Sequence, residues 1–371
     1  MHVPIVIRRR YRILLLIASL FVAACYDNAE TIGQEVNIYP QLNPDLTELK
    51  TSHISEFIQK HRLNIFPGLH LMNKKGSYFF VCVTRGDSLN LVDVNNILQS
   101  YTMSLTVHTA MEPYSSLNIS GDTIAILHPK AAKLCLLILE DDYSIKKGDS
   151  FYIDIKNIQG HVYIMSNPGF GTFKLAYPNA YIPYGLHNTK NYIDSTAYLS
   201  YNLLTNKYSK VVKFPTSAKN CETYDNSSNI ALVNDQLYCL FKWHDLILKH
   251  TAGGQLTSER AIAHECRLKP FDKAKEQNLA YVRKYEATSE NNIQLLADSK
   301  GNVVVSKQLE KESLQSPAIS EFFIFNSRLQ QVGSFKSPVP VYPYAFFNYS
   351  NGFMFFNDSL SKAFYYEMEK L

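Results

Sequence analysis

The sequence predicts an all-β protein, a β-propeller of six blades, with seven also compatible, carrying one short inserted helix. Three observations carry this. The chain holds 25 Tyr and 21 Phe among 371 residues, and aromatic side chains favour strands. Short apolar strands recur in hairpins from about residue 75 to the C-terminus, and such repetition argues for small sheets arranged about an axis. Beyond the first 36 residues no low-complexity or Pro-rich tract divides the chain, so residues 37–371 read as one propeller domain.

The elements follow in order. Residues 46–62 (LTELKTSHISEFIQKHR) fit a short helix or a strand and turn. The first hairpin theme is SYFFVCV, RGD, SLNLVDV, then ILQSYTMSL. The second is DTIAIL, a polar turn, LCLLIL, then SFYIDI. The third is TFKLAY and AYIPYG, followed by TAYLSYNLLTNKYSKVVKF. The fourth is NIALV, ND, QLYCLFKW and DLILKH. The fifth is NIQLLAD, SKG, NVVVSKQL, then SEFFIFNSRLQQVGSF. The last is GFMFFND, SLS, KAFYYEME, with only two clear strands. Asn-Asp and Lys-Gly at the tips are tight-turn chemistry. An N-terminal strand, EVNIYP at 35–40, is expected to complete the last blade and close the ring. Between the fourth and fifth themes, residues 270–287 (PFDKAKEQNLAYVRKYEA) start with Pro and space apolar residues at a helical period, which predicts the inserted helix.

The N-terminus reads as an export signal. Arg8, Arg9, Arg10 and Arg12 precede a short apolar run from Ile13 to Ala24. A bilayer-spanning helix needs roughly 20 apolar residues, so a signal peptide over residues 1–24 is the better reading. Val22-Ala23-Ala24-Cys25 resembles a bacterial lipobox. That resemblance implies a diacylglyceryl group on the Cys25 thiol, cleavage before Cys25, and a polar tether over residues 25–36. Tyr26 stands where the enteric retention pattern has Asp, which favours the outer membrane and leaves its periplasmic or outward face open.

Charge bears on the partners. The chain has 37 basic and 33 acidic side chains, and the four arginines of residues 1–24 account for the whole excess. The remainder is neutral, so the clustered positive surface that nucleic-acid binding needs is not expected. Six cysteines include Cys25, and an odd five remain. Cys221 and Cys239 are the pair nearest in sequence and the candidates for a disulfide; buried thiols are the alternative.

The lipobox, the hairpin repeat and the C-terminal run AISEFFIFNSRLQQVGSF…FMFFNDSLSKAFYYEME together resemble bacterial lipoproteins of unknown function with a TolB-like six-bladed propeller. Asn326 stands where that pattern has Asp. The resemblance implies the propeller and supplies no catalytic residue.

Chemistry-bearing motifs are sparse. The chain has no G-x-S-x-G, H-E-x-x-H or P-loop. No cofactor and no metal site is expected. His244, His250 and His264 lie in one region, but six residues apart on a strand is too far for two ligands of one ion. The candidate ligand-facing groups are the tyrosines beside prolines, Tyr181 and Tyr184 in YPNAYIPYGLH and Tyr342 and Tyr344 in PVPVYPYAFF. Prolines avoid central strands, which places these stretches in loops or at strand ends; packing between blades is the competing reading. The function expected is a membrane-anchored lipoprotein whose propeller binds a protein, peptide or glycan without catalysis. Two other readings stand beside it: a polysaccharide hydrolase or lyase with acids at one end of the ring, and a scaffold subunit of an outer-membrane complex.

Overall fold

The computed structural model describes residues 41–42, 44–51, 55–56, 70–83, 88–94, 100–104, 116–128, 131–153, 173–183, 196–213, 228–262, 271–275 and 278–368. Among the described residues, twenty-four strands form six antiparallel sheets of four. Blade 1 consists of β2 (His70–Lys74), β3 (Ser77–Val83), β4 (Ser88–Asp93) and β5 (Ser100–Ser104). Blade 2 is β6 (Ser116–Ser120), β7 (Thr123–His128), β8 (Lys133–Leu139) and β9 (Ile145–Tyr152). Blade 3 is β10 (Lys174–Ala176), β11 (Asn179–Pro183), β12 (Thr196–Asn202) and β13 (Lys207–Lys213). Blade 4 is β14 (Ser228–Val233), β15 (Gln236–Phe241), β16 (Leu246–Thr251) and β17 (Leu256–Ala261). Blade 5 is β18 (Asn291–Ala297), β19 (Val303–Gln308), β20 (Ser320–Phe325) and β21 (Gln331–Lys336). Blade 6 is β22 (Val341–Tyr349), β23 (Gly352–Asn357), β24 (Lys362–Glu367) and β1 (Leu46–Lys50).

The first strand of each blade touches the first strand of the next, and β22 returns to β2. These six strands therefore ring the axis, and the ladders run outward from them. Six apolar clusters fill the six interfaces between blades. Side chains alternate across a strand, so each blade sends one face to each neighbour. In blade 1, Met72 packs with Leu117 of blade 2, whereas Leu71 packs against Phe347 of blade 6.

The ring closes with an N-terminal strand, as expected, but the strand is 46–50; residues 35–40 lie outside the described residues. Its register explains the choice. Leu46 packs into the cluster between blades 5 and 6, and Leu49 into that between blades 6 and 1. Leu46 pairs with Tyr366 and Lys50 with Lys362, so the edge of β24 is covered along its length.

The inserted helix is shorter than 270–287. A 3-10 turn at Lys273–Lys275 precedes α1 (Leu279–Thr288), and both lie between blades 4 and 5. Asn278 caps α1, its Oδ1 accepting from the N–H groups of Ala280 and Tyr281.

Candidate functional site

The connections divide between the two ends of the propeller. On one end the first and second strands of each blade are joined by tight turns. Asn234 (φ 48°) and Asp235 (φ 58°) form one of these, and Lys75 (φ 52°) with Gly76 (φ 85°) another. Both carry the paired positive φ of a hairpin turn. The turns between third and fourth strands share that end and are also short, such as 203–206 and 252–255. The strand ends that flank residues 51–69, 105–115, 153–173, 184–195, 214–227, 262–290 and 309–319 lie at the opposite end. Loops of this length on a rigid scaffold are where recognition residues concentrate.

One corner of the long-connection end is described in detail. The β15–β16 turn, residues 242–245, meets α1 and the start of β18. Lys242 Nζ bonds Glu286 of α1 at 2.9 Å and lies 5.1 Å from the centre of the Trp243 ring. Trp243 packs on Tyr285 at 5.5 Å, and Phe271 packs on Tyr285 at 5.0 Å. Asn292 Nδ2 donates to the carbonyls of Phe241 and His244 at 2.9 and 2.8 Å, tying blade 5 to this turn. Beneath it, Lys307, 1% exposed, bonds Asp245 at 2.6 Å. Gln308 Nε2 donates to Ala287 O, and Lys311 N to Thr288 O. The helix is thus held at its C-terminal end by blade 5 while Ala280, Arg283 and Lys284 face solvent. Docked against the sheet, α1 presents one basic outward face.

The second feature is the axial edge. The innermost strands carry polar side chains where the middle strands are apolar. His70, Ser116, Asn118, Lys174, Asn229, Asn291, Asn292, Gln294 and Asn348 all lie on them. An innermost strand leaves one edge of backbone groups unpaired, and side chains answer part of that demand. Asn118 Oδ1 accepts from Leu175 N of the next inner strand at 2.9 Å, and Asn348 Nδ2 donates to Ala297 O at 2.8 Å.

Of the predicted tyrosines, Tyr181 is not ligand-facing. It is 1% exposed, lies in the apolar cluster between blades 3 and 4, and donates its hydroxyl to Ala252 O at 3.3 Å. Alternation on β11 turns it inward, and burial raises the pKa of its hydroxyl. Tyr342 is half-buried against the cluster between blades 6 and 1. Tyr184 and the Tyr344 side chain lie outside the described set. The stretch PVPVYPYAFF is not a loop: residues 341–349 form the innermost strand of blade 6. Its pairing with β23 is interrupted between Val341 and Phe346, around Pro343, which has no N–H to offer a ladder.

Cys239 carries a free, fully buried thiol whose pKa is pushed up to about 12 by burial. Cys25 and Cys221 lie outside the described residues. His244 and His250 are buried, and burial lowers each to about 4; for His244 the neighbouring Asp245 charge opposes that shift. Among the described residues no group of three or more His, Cys, Asp or Glu is placed to hold a metal ion, and no helix is long and apolar enough to cross a membrane. Asn326 accepts from the N–H groups of Arg328 and Gln330, the turn-holding work that Asp also performs.

Sequence reading missed the Lys307–Asp245 pair and the axial residues. A lysine inside the apolar run VVVSKQ was the available signal for the first.

No protein-family model matches the chain, and no curated protein matches it in sequence. Solved structures do match. A DUF4221-family protein from Bacteroides vulgatus superposes with a TM-score of 0.62 at 10% identity, covering 90% of this chain and 98% of that one. The two chains share a fold. A candidate exported protein from Bacteroides fragilis matches at TM-score 0.47 and 8% identity, over 87% of this chain and 86% of that one. BamB from Moraxella catarrhalis matches at TM-score 0.37 and 11% identity, over 81% of this chain and 84% of that one.

Proposed function

We propose that this protein is a lipid-anchored propeller of the bacterial outer membrane that binds a protein, peptide or glycan partner without transforming it. The division of connections carries the reading: tight turns cap one end, while the strand ends that flank the long connections and the docked helix α1 lie at the other. A binding surface on that end would be variable in its loops and fixed in its frame, which suits recognition. The lipobox at Cys25 supplies the anchor, since several acyl chains at about 0.8 kcal/mol per methylene hold a protein on a bilayer.

Metabolic acyl labelling of wild type and Cys25→Ser tests the anchor, and co-purification after cell-surface crosslinking tests the binding. Label that depends on Cys25, with a partner recovered in both the wild type and a detergent extract, is expected. Label persisting on Cys25→Ser removes the anchor from the account. Turnover of an envelope polysaccharide by the purified protein overturns the non-catalytic reading in favour of a hydrolase or lyase.

A further inference from the structure

The tip of blade 3 at the tight-turn end carries side chains that the ring does not use. There the β10–β11 turn, Tyr177-Pro178, lies beside the β12–β13 turn, residues 203–206. Leu203 N–H donates to Pro178 O at 2.9 Å and Asn202 Nδ2 to Asn179 Oδ1 at 3.1 Å, so the two turns are tied together. Asn202 Oδ1 also accepts from the N–H groups of Leu204 and Thr205, which fixes the backbone of the second turn. The register Asn179↔Asn202, carried two residues on, sets Tyr177 opposite Leu204. Leu203 is buried between blades 2 and 3, whereas its neighbour Leu204 is 63% exposed and Tyr177 54%. Tyr208, the second residue of β13, is exposed as well. Of the seven large apolar side chains exposed among the described residues, these three belong to one blade.

Charge singles out the same blade. Its described residues, 173–183 and 196–213, include Lys174, Lys207, Lys210 and Lys213 and no acid, and Lys207 is exposed beside the tip. Every other blade carries at least one Asp or Glu among its described residues. The β8–β9 turn of neighbouring blade 2 is acidic and exposed at Glu140, Asp141 and Asp142, which confines the basic, apolar character to the tip of blade 3.

An exposed Tyr–Leu pair flanked by lysine and free of acids complements an anionic bilayer. Tyrosine is enriched at the membrane–water interface, where its ring is apolar and its hydroxyl wet, and lysines near the surface are drawn to anionic headgroups. The chain also enters the ring from this end. Leu46, the first residue of β1, pairs with Tyr366, next to the Gly352–Glu367 pair at the β22–β23 turn. About 15 residues separate Cys25 from Gln41, a stretch that spans at most about 50 Å.

We propose that the tip of blade 3 rests on an anionic bilayer surface, with Tyr177 and Leu204 in the interfacial zone and Lys207 at the headgroups. The long-connection end then faces away from the bilayer and stays open to its partner. This inference rests on the lipid-anchor reading only for bringing the ring to the membrane.

The test places an environment-sensitive fluorescent amino acid at Leu204, or at Leu314 on the opposite end, of the full-length protein. The purified protein is mixed with vesicles of phosphatidylcholine, with or without phosphatidylglycerol. Flotation with phosphatidylcholine alone, compared between wild type and Cys25→Ser, reads the anchor; emission at Leu204 reads the tip. With phosphatidylglycerol present, emission at Leu204 is expected to shift to the blue and to be quenched by lipids that carry a nitroxide near the headgroup, while Leu314 stays solvent-like. Lys207→Glu, or salt raised to about 1 M, should weaken that shift at least about twofold. Tyr177→Ser should weaken it too. Both substitutions fall at exposed positions, and unchanged thermal unfolding of each variant shows that a contact, not the fold, is lost. The inference is overturned if emission at Leu204 is unaffected by the phosphatidylglycerol vesicles, or if Leu314 shifts as much. Equal shifts at Leu204 with and without phosphatidylglycerol overturn it as well, because the lysines then play no part.

Discussion

Removing the carboxylate of Asp245 is expected to cost far more than removing the ammonium it pairs with. The bond is 2.6 Å long, and the two partners are unequally buried: the Lys307 side chain is 1% exposed and that of Asp245 16%. With an effective dielectric of about 20, the gross attraction is about 6 kcal/mol. Most of it is offset by drying both ions, yet deleting one partner leaves the other uncompensated. Asp245→Asn strands a buried ammonium, and a loss of about 3 kcal/mol follows. Lys307→Met puts an apolar chain of similar shape inside the protein and leaves a carboxylate that can turn toward water, for about 1 kcal/mol. Unfolding entropy of about 2 cal/mol/K per residue, over a domain of this size, converts these to Tm decreases of about 4 °C and 1–2 °C. Thermal unfolding of the two variants and the double variant, followed by circular dichroism, reads the difference. Equal losses, or a larger loss for Lys307→Met, would refute the burial argument. The double variant should recover most of the Asp245→Asn loss, because the stranded charge is then gone.

Three further outcomes are expected. Gly352→Ala drives a Cβ into the carbonyl oxygen of Tyr366, in the paired strand β24, so the β23–β24 ladder must part. A loss of about 3 kcal/mol or more in urea unfolding is expected, above the usual range for overpacking. Tyr181→Ala should cost about 3–5 kcal/mol and Tyr181→Phe less than about 1.5 kcal/mol, since the ring fills the interface between blades 3 and 4 and the hydroxyl bond is long; equal and negligible losses in denaturant titration would return Tyr181 to the ligand-facing list. His70, His244 and His250 have folded pKa values of about 3, 4 and 4, below the ordinary 6.5. The unfolded chain then binds more protons between about pH 6.5 and 4, so stability falls as pH drops through that window. His250→Gln should flatten the fall, by at most about 3 kcal/mol at pH 4; an unchanged pH profile of Tm would count against buried neutral histidines.

What the sequence revealed and what it concealed divide by position within the blade. The second and third strands were legible. β3 SYFFVCV, β7 TIAILH, β15 QLYCLF, β19 VVVSKQ and β23 GFMFFN are runs of apolar and β-branched residues because both their faces meet neighbouring blades. The inner strands were harder. β2 HLMNK and β6 SLNIS carry polar side chains for the axial edge and escaped notice, and β22 was disguised by its prolines. Outer strands are exposed on their free edge; all six residues of β17, LTSERA, are exposed, and nothing in their composition marks a strand. The closing strand was anticipated in kind and misplaced in position, because LTELK has two leucines three apart that serve opposite interfaces rather than one alternating face. The Lys307–Asp245 pair was illegible for a different reason: the two residues stand 62 apart in sequence, and only the packing of blade 5 on blade 4 brings them together.

The central functional claim is that the partner sits on the end bearing the long connections. Site-specific photocrosslinking in living cells tests it most directly, with the crosslinker placed at exposed positions on each end. Lys284 of α1 and Leu314 in the β19–β20 connection represent the long-connection end; Leu204 and Lys300 represent the tight-turn end. The account predicts a discrete adduct from Lys284 or Leu314 and none from Leu204 or Lys300. Adducts confined to Leu204 and Lys300 would contradict it and place recognition on the opposite face of the ring.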